Sequence, residues 1–492
     1  MPRSKLLITL FVALIVSAGL WYMWMITRAK LEWGGARPDQ QQIGTVQDTR
    51  QRAATQYCTG VVVTPQGTWL VARMEGEAGQ LDASASSVDL DAVAYGKRDE
   101  DLEPEGSGAF TSLLTGGGKE TSFISRLDAQ GRFQLVAHVS AAACLVASPD
   151  GASVFLLTGL DRPEAVAPDG VGQTVVFRSD DQGKRWTWLA NGWFPGADQL
   201  AWNLEPYFHG TDEVWAWGKP SGIDNESGED TPGAISTGVF YSADRGMSST
   251  PIVAAESLLA TAEYAQVKRP DVMQWHTVDG TYGEIRTHVL QLDAQRAYIW
   301  VSQRFWGSNP DGEGDNIAFN VTTRAQLQRK AKHWRVVEVQ RDDNLFIDTL
   351  AQNDAGRVMG LIDQGDHGQD AVAELDTTAL TWHPLGDLPG AFDPLASDTR
   401  LREGNFYVGR NSLLINTSSE HRPPRWLYWW SDASISANGV FYSRDWGRSW
   451  QRLAIDGYLG ILGFQSTEDR VIWAKGNWYD NNDGGLYSYG LR

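Results

Sequence analysis

Apolar residues along most of the chain occur in short runs separated by clusters of Gly, Pro, Asp, Asn and Ser. Residues 61–63 and 69–72, for example, flank the sequence Thr-Pro-Gln-Gly, which is typical of a tight turn between two strands. Helix-like periodicity is restricted to residues 254–266 and 323–332, and the polar stretch 75–118 predicts a long surface loop. The chain is therefore predicted to be all-β.

One apolar stretch near the N-terminus differs from the rest. Residues 6–26 carry no charge and are long enough to cross a bilayer as a helix, with aromatic residues near the outer end. A cleaved signal peptide is the alternative, because small residues lie at 16–18. The predicted organisation is a cytoplasmic tail at 1–4, a transmembrane signal anchor at 5–27, a flexible tether at 28–52 and a folded ectodomain at 53–492. This plan predicts a single-pass protein of the bacterial inner membrane with a periplasmic C-terminal domain.

A short motif recurs three times at the ends of apolar runs. Its pattern is Ser-x-Asp-x-Gly-x-x-Trp, and the second copy has Ser249 where Trp is expected. The Ser and Asp side chains can accept hydrogen bonds from turn amides, and the Gly favours a positive φ. The motif residues are Ser179, Asp181, Gly183 and Trp186; Ser242, Asp244 and Gly246; and Ser443, Asp445, Gly447 and Trp450. These residues are interpreted as structural, with each Trp folding back over its own hairpin.

The motif resembles the Asp-box, or BNR repeat, of sialidase-like β-propellers. The resemblance implies one β-propeller, which the transmembrane helix predicted above would precede. At roughly fifty residues per blade, the spacing of the copies predicts about six to eight blades. The final segment, residues 485–490, is expected to complete a blade and close the ring.

The sialidase resemblance raises the question of catalysis. The Arg-Ile-Pro motif that the family places before its first Asp-box is missing from the chain. If the protein is an enzyme, a glycoside hydrolase is expected, and Glu205 and Glu284 are carboxylates among aromatic residues that such chemistry could use. Their simpler interpretation is a carboxylate hydrogen-bonded to a loop. No catalytic residue is assigned.

Charge and cysteine content limit the partners and the compartment. The net charge is -19, which argues against nucleic acid and leaves a cationic partner open. The two cysteines, Cys58 and Cys144, predict either one disulfide in an oxidising compartment or two buried thiols. No zinc spacing is present, so no metal or cofactor is assigned. Oxygen-rich loops at 311–316 and 480–484 are candidates for Ca²⁺, with ordinary polar turns as the alternative.

Aromatic residues beside arginines supply the candidate binding residues. Such clusters occur at protein interfaces and stack on sugar rings, although a buried strand is the alternative interpretation. The candidates are Trp306, Arg425, Trp426, Tyr428, Trp429 and Trp430. Because no catalytic residue is assigned, the predicted role is a non-catalytic protein-binding module of the cell envelope, and the Asp-box resemblance implies a periplasmic immunity or assembly factor. A carbohydrate-active enzyme or a glycan-binding lectin is the alternative.

Overall fold

A computed structural model of the chain describes most of the folded part and short pieces of the N-terminal region. The described residues are 16–21, 41–45, 52–53, 61–75, 87–95, 120–130, 132–141, 143–158, 175–189, 193–194, 204–218, 238–272, 274–276, 284–308, 317–353, 355–364, 370–388, 398–422, 435–453, 461–474 and 485–491.

Strands dominate the described residues. In chain order they are β1 (Gln41–Thr45), β2 (Arg52–Ala53), β3 (Val61–Thr64), β4 (Gly67–Glu75), β5 (Val88–Asp89), β6 (Glu120–Leu127), β7 (Phe133–Val139), β8 (Ala143–Ala147), β9 (Val154–Thr158), β10 (Val175–Ser179), β11 (Thr187–Trp188), β12 (Leu204–His209), β13 (Glu213–Gly218), β14 (Gly238–Ser242), β15 (Thr250–Ala254), β16 (Gln274–His276), β17 (Glu284–Gln291), β18 (Arg296–Ser308), β19 (Ile317–Lys330), β20 (His333–Asp343), β21 (Leu345–Gln352), β22 (Val358–Gln364), β23 (Asp370–Asp376), β24 (Thr381–Asp387), β25 (Asp398–Val408), β26 (Leu413–Arg422), β27 (Ile435–Ser443), β28 (Gln451–Leu453), β29 (Ile461–Gln465), β30 (Arg470–Ala474) and β31 (Gly485–Gly490). The helices are α1 (Leu90–Tyr95) and α2 (Ala262–Lys268), with 3₁₀ turns at Ala255–Leu258 and Ser466–Glu468, and residues 16–21 are also helical.

These strands form seven sheets that follow one another along the chain. Blades 1 to 7 are β3-β4-β6-β7, β8-β9-β10-β11, β12-β13-β14-β15, β17-β18-β19-β20, β21-β22-β23-β24, β25-β26-β27-β28 and β29-β30-β31-β1. Three short strands extend this plan: β2 pairs with β4, β5 pairs in parallel with β7, and β16 pairs with β18. The protein is an all-β, seven-bladed propeller, within the predicted range of blade numbers.

The ring is closed by a strand from the N-terminal region. β1 is the outer strand of blade 7 and pairs antiparallel with β31, from Gln41 opposite Ser488 to Thr45 opposite Gly485. Residues 485–490 therefore belong to the closing blade, as expected. The predicted tether at 28–52 differs from the structure, because residues 41–45 and 52–53 are strands. Their polar sequence concealed this, since an outer strand needs little apolar surface.

The antiparallel order gives the ring two different faces. The first strand of every blade runs from one face to the other, and the second strand runs back. We call the face at which first strands begin the loop face, and the opposite one the turn face. On the turn face, the connections within the blades are short. On the loop face, second and third strands are joined by residues 76–119, 159–174, 219–237, 309–316, 365–369, 423–434 and 475–484.

The sequence predicted two helical regions, and the structure contains only one of them. The region 254–266 contains the 3₁₀ turn and most of α2, whereas residues 323–332 lie mainly in β19, so the helix prediction there is wrong. β19 pairs on both sides, with β18 and β20, and this pairing overrides the local helical pattern. The predicted loop at 75–118 also contains β5 and α1.

The predicted membrane segment is described only in part. Residues 16–21 are helical. No helix among the described residues is both long and apolar enough to cross a bilayer, so the structure does not support the transmembrane helix.

Large aromatic side chains fill the spaces between blades. Trp69 of blade 1 and Trp186 of blade 2 meet edge to face with ring centroids 6.3 Å apart. Trp215 of blade 3 contacts Trp334 of blade 4 at 5.3 Å. Trp450 of blade 6 packs against a cluster that includes residues of blade 5. The motif tryptophans Trp186 and Trp450 therefore join neighbouring blades, whereas the sequence predicted that each covers its own hairpin.

Candidate functional site at the junction of blades 4 and 5

The three repeated motifs are turns between the third and fourth strands of blades 2, 3 and 6. In each, the Ser hydroxyl accepts a hydrogen bond from the Gly N–H, at 2.9 Å for Ser179 and Gly183, 2.8 Å for Ser242 and Gly246, and 2.7 Å for Ser443 and Gly447. The Asp carboxylate accepts the backbone N–H four residues on, as Asp181 does from Arg185 at 2.9 Å. All three turns lie on the turn face, and their polar groups are used within the turn.

The second motif has Ser249 where the terminal Trp is expected. In the structure Trp193, which precedes blade 3, covers this turn. Its Nε1 donates to the carbonyl of Arg245 at 2.8 Å, and its ring stacks on Phe155 at 4.4 Å. A Cβ added at Gly246 would lie 2.0 Å from Trp193 Nε1, so the contact requires glycine.

In the loop-face half of β21, the innermost strand of blade 5, a β-bulge carries a partly exposed carboxylate. The β21–β22 register shifts between Ile347 and Thr349, which makes Asp348 the extra residue. Bulges re-aim a side chain and are frequent beside functional sites. Asp348 forms an ion pair with Arg286 of β17 at 3.3 Å, and the two side chains are 25% and 41% exposed. Both lie on the innermost strands of their blades.

Side chains of blade 4 hold the backbone of the bulge. The N–H of Ile347 donates to Ser302 Oγ at 3.0 Å, and Ser302 Oγ lies 2.8 Å from Thr322 Oγ1. The carbonyl of Ile347 lies 3.1 Å from His288 Nε2, which donates in the tautomer protonated at that nitrogen. These partners replace the ladder hydrogen bonds that a bulge disrupts.

Next to the bulge, a second arginine and a buried carboxylate link the two blades. Arg304 of β18 donates to Asp363 Oδ2 of β22 at 2.9 Å, and Asn320 donates to the same oxygen at 3.0 Å. Asp363 is only 1% exposed, and Oδ1 has no hydrogen-bond partner. Burial raises the pKa of Asp363, although Asn320 and Arg304 act in the opposite direction. The guanidinium carbon of Arg304 lies 4.3 Å from the ring centroid of Phe346.

At the loop face, the second strand of blade 4 extends beyond its first strand. β18 continues past the end of β17 and pairs there with β16. Trp275, Phe305 and Phe319 form a small core under α2, on the side of the sheet opposite Arg304. Trp306 shares the side of Arg304 and is partly buried. The extension therefore forms a wall that carries Arg304 and Trp306 on the side facing blade 5.

The sequence-based candidates are only partly covered by the described residues. Trp306 lies in the wall, and Glu205 and Glu284 lie at the loop-face ends of the inner strands β12 and β17, with Glu284 opposite Arg304 in the register. Cys144 is disulfide-bonded and the chain has one other cysteine. Candidates outside the described residues are Arg425, Trp426, Tyr428, Trp429, Trp430, Cys58 and the proposed calcium loops at 311–316 and 480–484.

The sequence alone does not reveal the polar groups that the fold brings together here, namely Arg286, Asp348, Arg304, Asn320 and Asp363. They come from five strands of two blades, so no local spacing reveals them. Within the described part of the chain, no group of three or more His, Cys, Asp or Glu side chains is placed to hold a metal ion. The site consists of arginine, carboxylate, amide and indole groups.

Comparisons with known proteins concern the fold. No known family profile matches the chain, and no curated protein matches it in sequence. An α-L-arabinanase from Penicillium chrysogenum is 13% identical with a TM-score of 0.32, covering 71% of this chain and 93% of its own. An α-L-arabinofuranosidase from Fusarium graminearum is 13% identical with a TM-score of 0.30, covering 72% and 92%. YCF48 from Cyanidioschyzon merolae is 13% identical with a TM-score of 0.25, covering 71% and 96%. At these scores, the similarities carry no information about activity.

Proposed function

We propose that the protein is a carbohydrate-active propeller whose binding site lies at the junction of blades 4 and 5 on the loop face. The observation that carries the proposal is the bulge at Asp348, whose partly exposed carboxylate pairs with Arg286. Carbohydrate sites combine an aromatic platform with a few fixed polar groups. Trp306 supplies the aromatic platform, and Arg286 and Asp348 supply the fixed polar groups. Trp306 and Arg286 lie on one side of blade 4, and Asp348 lies on the strand of blade 5 that faces it.

The spacing of these residues sets the size of the ligand. Arg286 is the register partner of Ser302, and Trp306 lies four residues further along the same strand on the same side. Four strand residues span about 13 Å. This backbone spacing favours an oligosaccharide of more than one sugar ring as the ligand that contacts both Trp306 and the ion pair. Asp363 would serve this site indirectly by holding Arg304 in place.

Binding to defined oligosaccharides by the purified chain tests the proposal. Asp348→Asn is expected to weaken binding by about tenfold or more, since a hydrogen bond to a charged group contributes about 1.5–3 kcal/mol. Trp306→Ala is expected to weaken binding as well, because it removes the aromatic platform. The matched controls lie on the turn face. Trp446→Ala removes another partly buried tryptophan, and Asp293→Asn breaks another exposed ion pair, formed with Arg296 at 2.7 Å. Unchanged binding in both site variants would refute this location of the site.

The same preparation decides whether the ligand is also cleaved. Glycoside hydrolysis requires two carboxyl groups flanking the scissile bond. The Glu284 position lies opposite Arg304 in the register, and Asp348 lies on the neighbouring blade. Turnover of the bound oligosaccharide that disappears in both Glu284→Gln and Asp348→Asn would assign a glycoside hydrolase. Binding without turnover would assign a lectin.

A non-catalytic protein-binding module, such as a periplasmic immunity or assembly factor, is the second candidate. The observation in its favour is that all the longest connections between strands belong to one face, since loops on a rigid scaffold commonly carry recognition. Its expected result is a stoichiometric complex with a protein of the cell envelope, unaffected by Trp306→Ala and Asp348→Asn. No oligosaccharide binding would then be detected.

We also propose that the chain is a divergent Asp-box propeller held in the bacterial cell envelope by residues 5–27. The three Ser-Asp-Gly turns with their shared hydrogen bonds support the first part. The disulfide at Cys144 supports an oxidising compartment such as the periplasm, and the uncharged stretch at 6–26 supports the anchor. Membrane fractionation of the full chain with and without residues 5–27 tests the anchor, since only the complete chain should sediment with membranes.

A further inference from the structure

The direction of β1 shows from which face of the ring the N-terminal segment departs. β31 runs from the loop face to the turn face, because it is the third strand of its blade. β1 is antiparallel to it, with Gln41 opposite Ser488 and Thr45 opposite Gly485. The chain therefore enters β1 at the turn face and leaves it at the loop face. Everything before residue 41 joins the propeller at the turn face, beside blade 7.

The connecting segment is short. Residues 28–40 lie between the apolar stretch and β1, and such a segment spans at most about 45 Å when fully extended. Because the segment joins the ring at the turn face, an anchor that continues directly from it lies on that side of the ring. A loop face directed at the membrane would require the segment to pass the full height of the blades first.

The charge distribution points in the same direction. The seven connections between second and third strands, all of which start and end at the loop face, contain 23 acidic and seven basic residues. The thirteen short connections on the turn face contain 11 acidic and nine basic residues. Anionic lipid headgroups repel the first set, whereas the second set is nearly neutral. The turn face also has exposed basic side chains, including Lys184, Arg185, Lys332 and Arg448.

We infer that the turn face is the membrane-facing surface of the protein, with a lipid bilayer as its partner. The inference rests on the N-terminal anchor proposed above. In this orientation the loop face and the site at blades 4 and 5 point away from the bilayer. The ligand then approaches from the bulk of the compartment.

Distances from two positions in one blade to the bilayer surface test the orientation. Gln364 lies at the loop-face end of β22 and Thr378 lies in the turn between β23 and β24, and both are exposed. Gln364→Cys and Thr378→Cys, each in the full chain, are labelled with a fluorophore and reconstituted into phosphatidylcholine and phosphatidylglycerol vesicles carrying a lipid-bound acceptor. Because both labels lie in the same blade, a tilt of the ring relative to the bilayer moves both of them by similar amounts.

Energy transfer from Thr378→Cys is expected to be at least twofold more efficient than from Gln364→Cys. Equal transfer, or stronger transfer from Gln364→Cys, overturns the orientation. A chain that floats free of the vesicles overturns the anchor itself, so the two failures are distinguishable. Vesicles of phosphatidylcholine alone separate the two contributions. The order of the two labels persists there if the turn-face start of β1 sets the orientation, and it is lost if headgroup charge alone sets it. Loss of the order overturns the topological argument.

Discussion

The most direct test of the fold is removal of one hydroxyl from a repeated turn by Ser443→Ala. Ser443 is 1% exposed. Its Oγ accepts from the N–H of Gly447 at 2.7 Å and from that of Asp445 at 3.3 Å, and donates to Asp445 Oδ1 at 2.8 Å. The substitution leaves the buried N–H of Gly447 without its acceptor. An unsatisfied buried donor costs about 1–3 kcal/mol, so we expect the free energy of unfolding to fall by about 2 kcal/mol.

Ser449→Ala in the same turn is the matched control. Ser449 is exposed, and its hydroxyl donates to Asp445 Oδ2 at 2.6 Å, where water can replace it. Its backbone N–H keeps the bond to Asp445 Oδ1 at 2.8 Å. The expected cost is below about 0.5 kcal/mol. Urea unfolding followed by tryptophan fluorescence measures both variants, and hydrogen exchange of residues 443–450 locates the effect. Equal losses in the two variants would refute the assigned role of the buried hydroxyl.

Further predictions concern two carboxylates and one glycine. Burial works to raise the pKa of Glu213, but hydrogen bonds from neighbouring side chains outweigh it and leave the pKa lowered. Its contribution to stability is therefore present above the ordinary value of 4.5 and lost as pH falls through the lowered pKa, and Glu213→Gln should show a weaker acid dependence of urea unfolding. The pKa of Asp363 is raised, so its effect on stability is the opposite: the free energy of unfolding should fall as pH rises from 3.8 towards the raised pKa. Asp363→Asn should weaken this pH dependence. Gly246→Ala should destabilise more than Gly210→Ala in thermal melts, because both have positive φ but an added Cβ meets Trp193 only at Gly246; equal shifts in melting temperature would contradict the packing argument.

Sequence patterns predicted the parts of the fold that depend on neighbouring residues. The turn at Ser443 is specified by side chains within seven residues of one another, and all its hydrogen bonds are local. The same local argument failed for residues 323–332, because two partner strands determine the conformation of β19. It also missed β1, whose partner lies at the other end of the chain. The sequence therefore predicts turns whose hydrogen bonds are local, but it does not predict pairing between strands that are far apart in the chain.

The candidate site was hidden for the same reason. Asp348 becomes an extra residue only through the register of β21 against β22, and nothing in the sequence around it resembles a turn or a bulge. Arg304 and Asp363 meet across two blades. Trp306 was identified because an aromatic residue beside an arginine is visible locally. The polar groups of the candidate site come together only when the ring is assembled.

Stability alone gives little reason for the bulge at Asp348. A bulge disrupts its ladder, and here the side chains of Ser302 and His288 must complete the hydrogen bonding of Ile347. What the bulge gains is a 3.3 Å ion pair between Asp348 and Arg286, both partly exposed. Ion pairs in solvent contribute only about 0–1 kcal/mol. On the turn face, by contrast, Ser443 and Asp445 are occupied in holding their own turn. The Asp348–Arg286 pair contributes less to stability than the turn at Ser443 does, and it lies on the loop-face side of the ring. This is the reason to look for the ligand there.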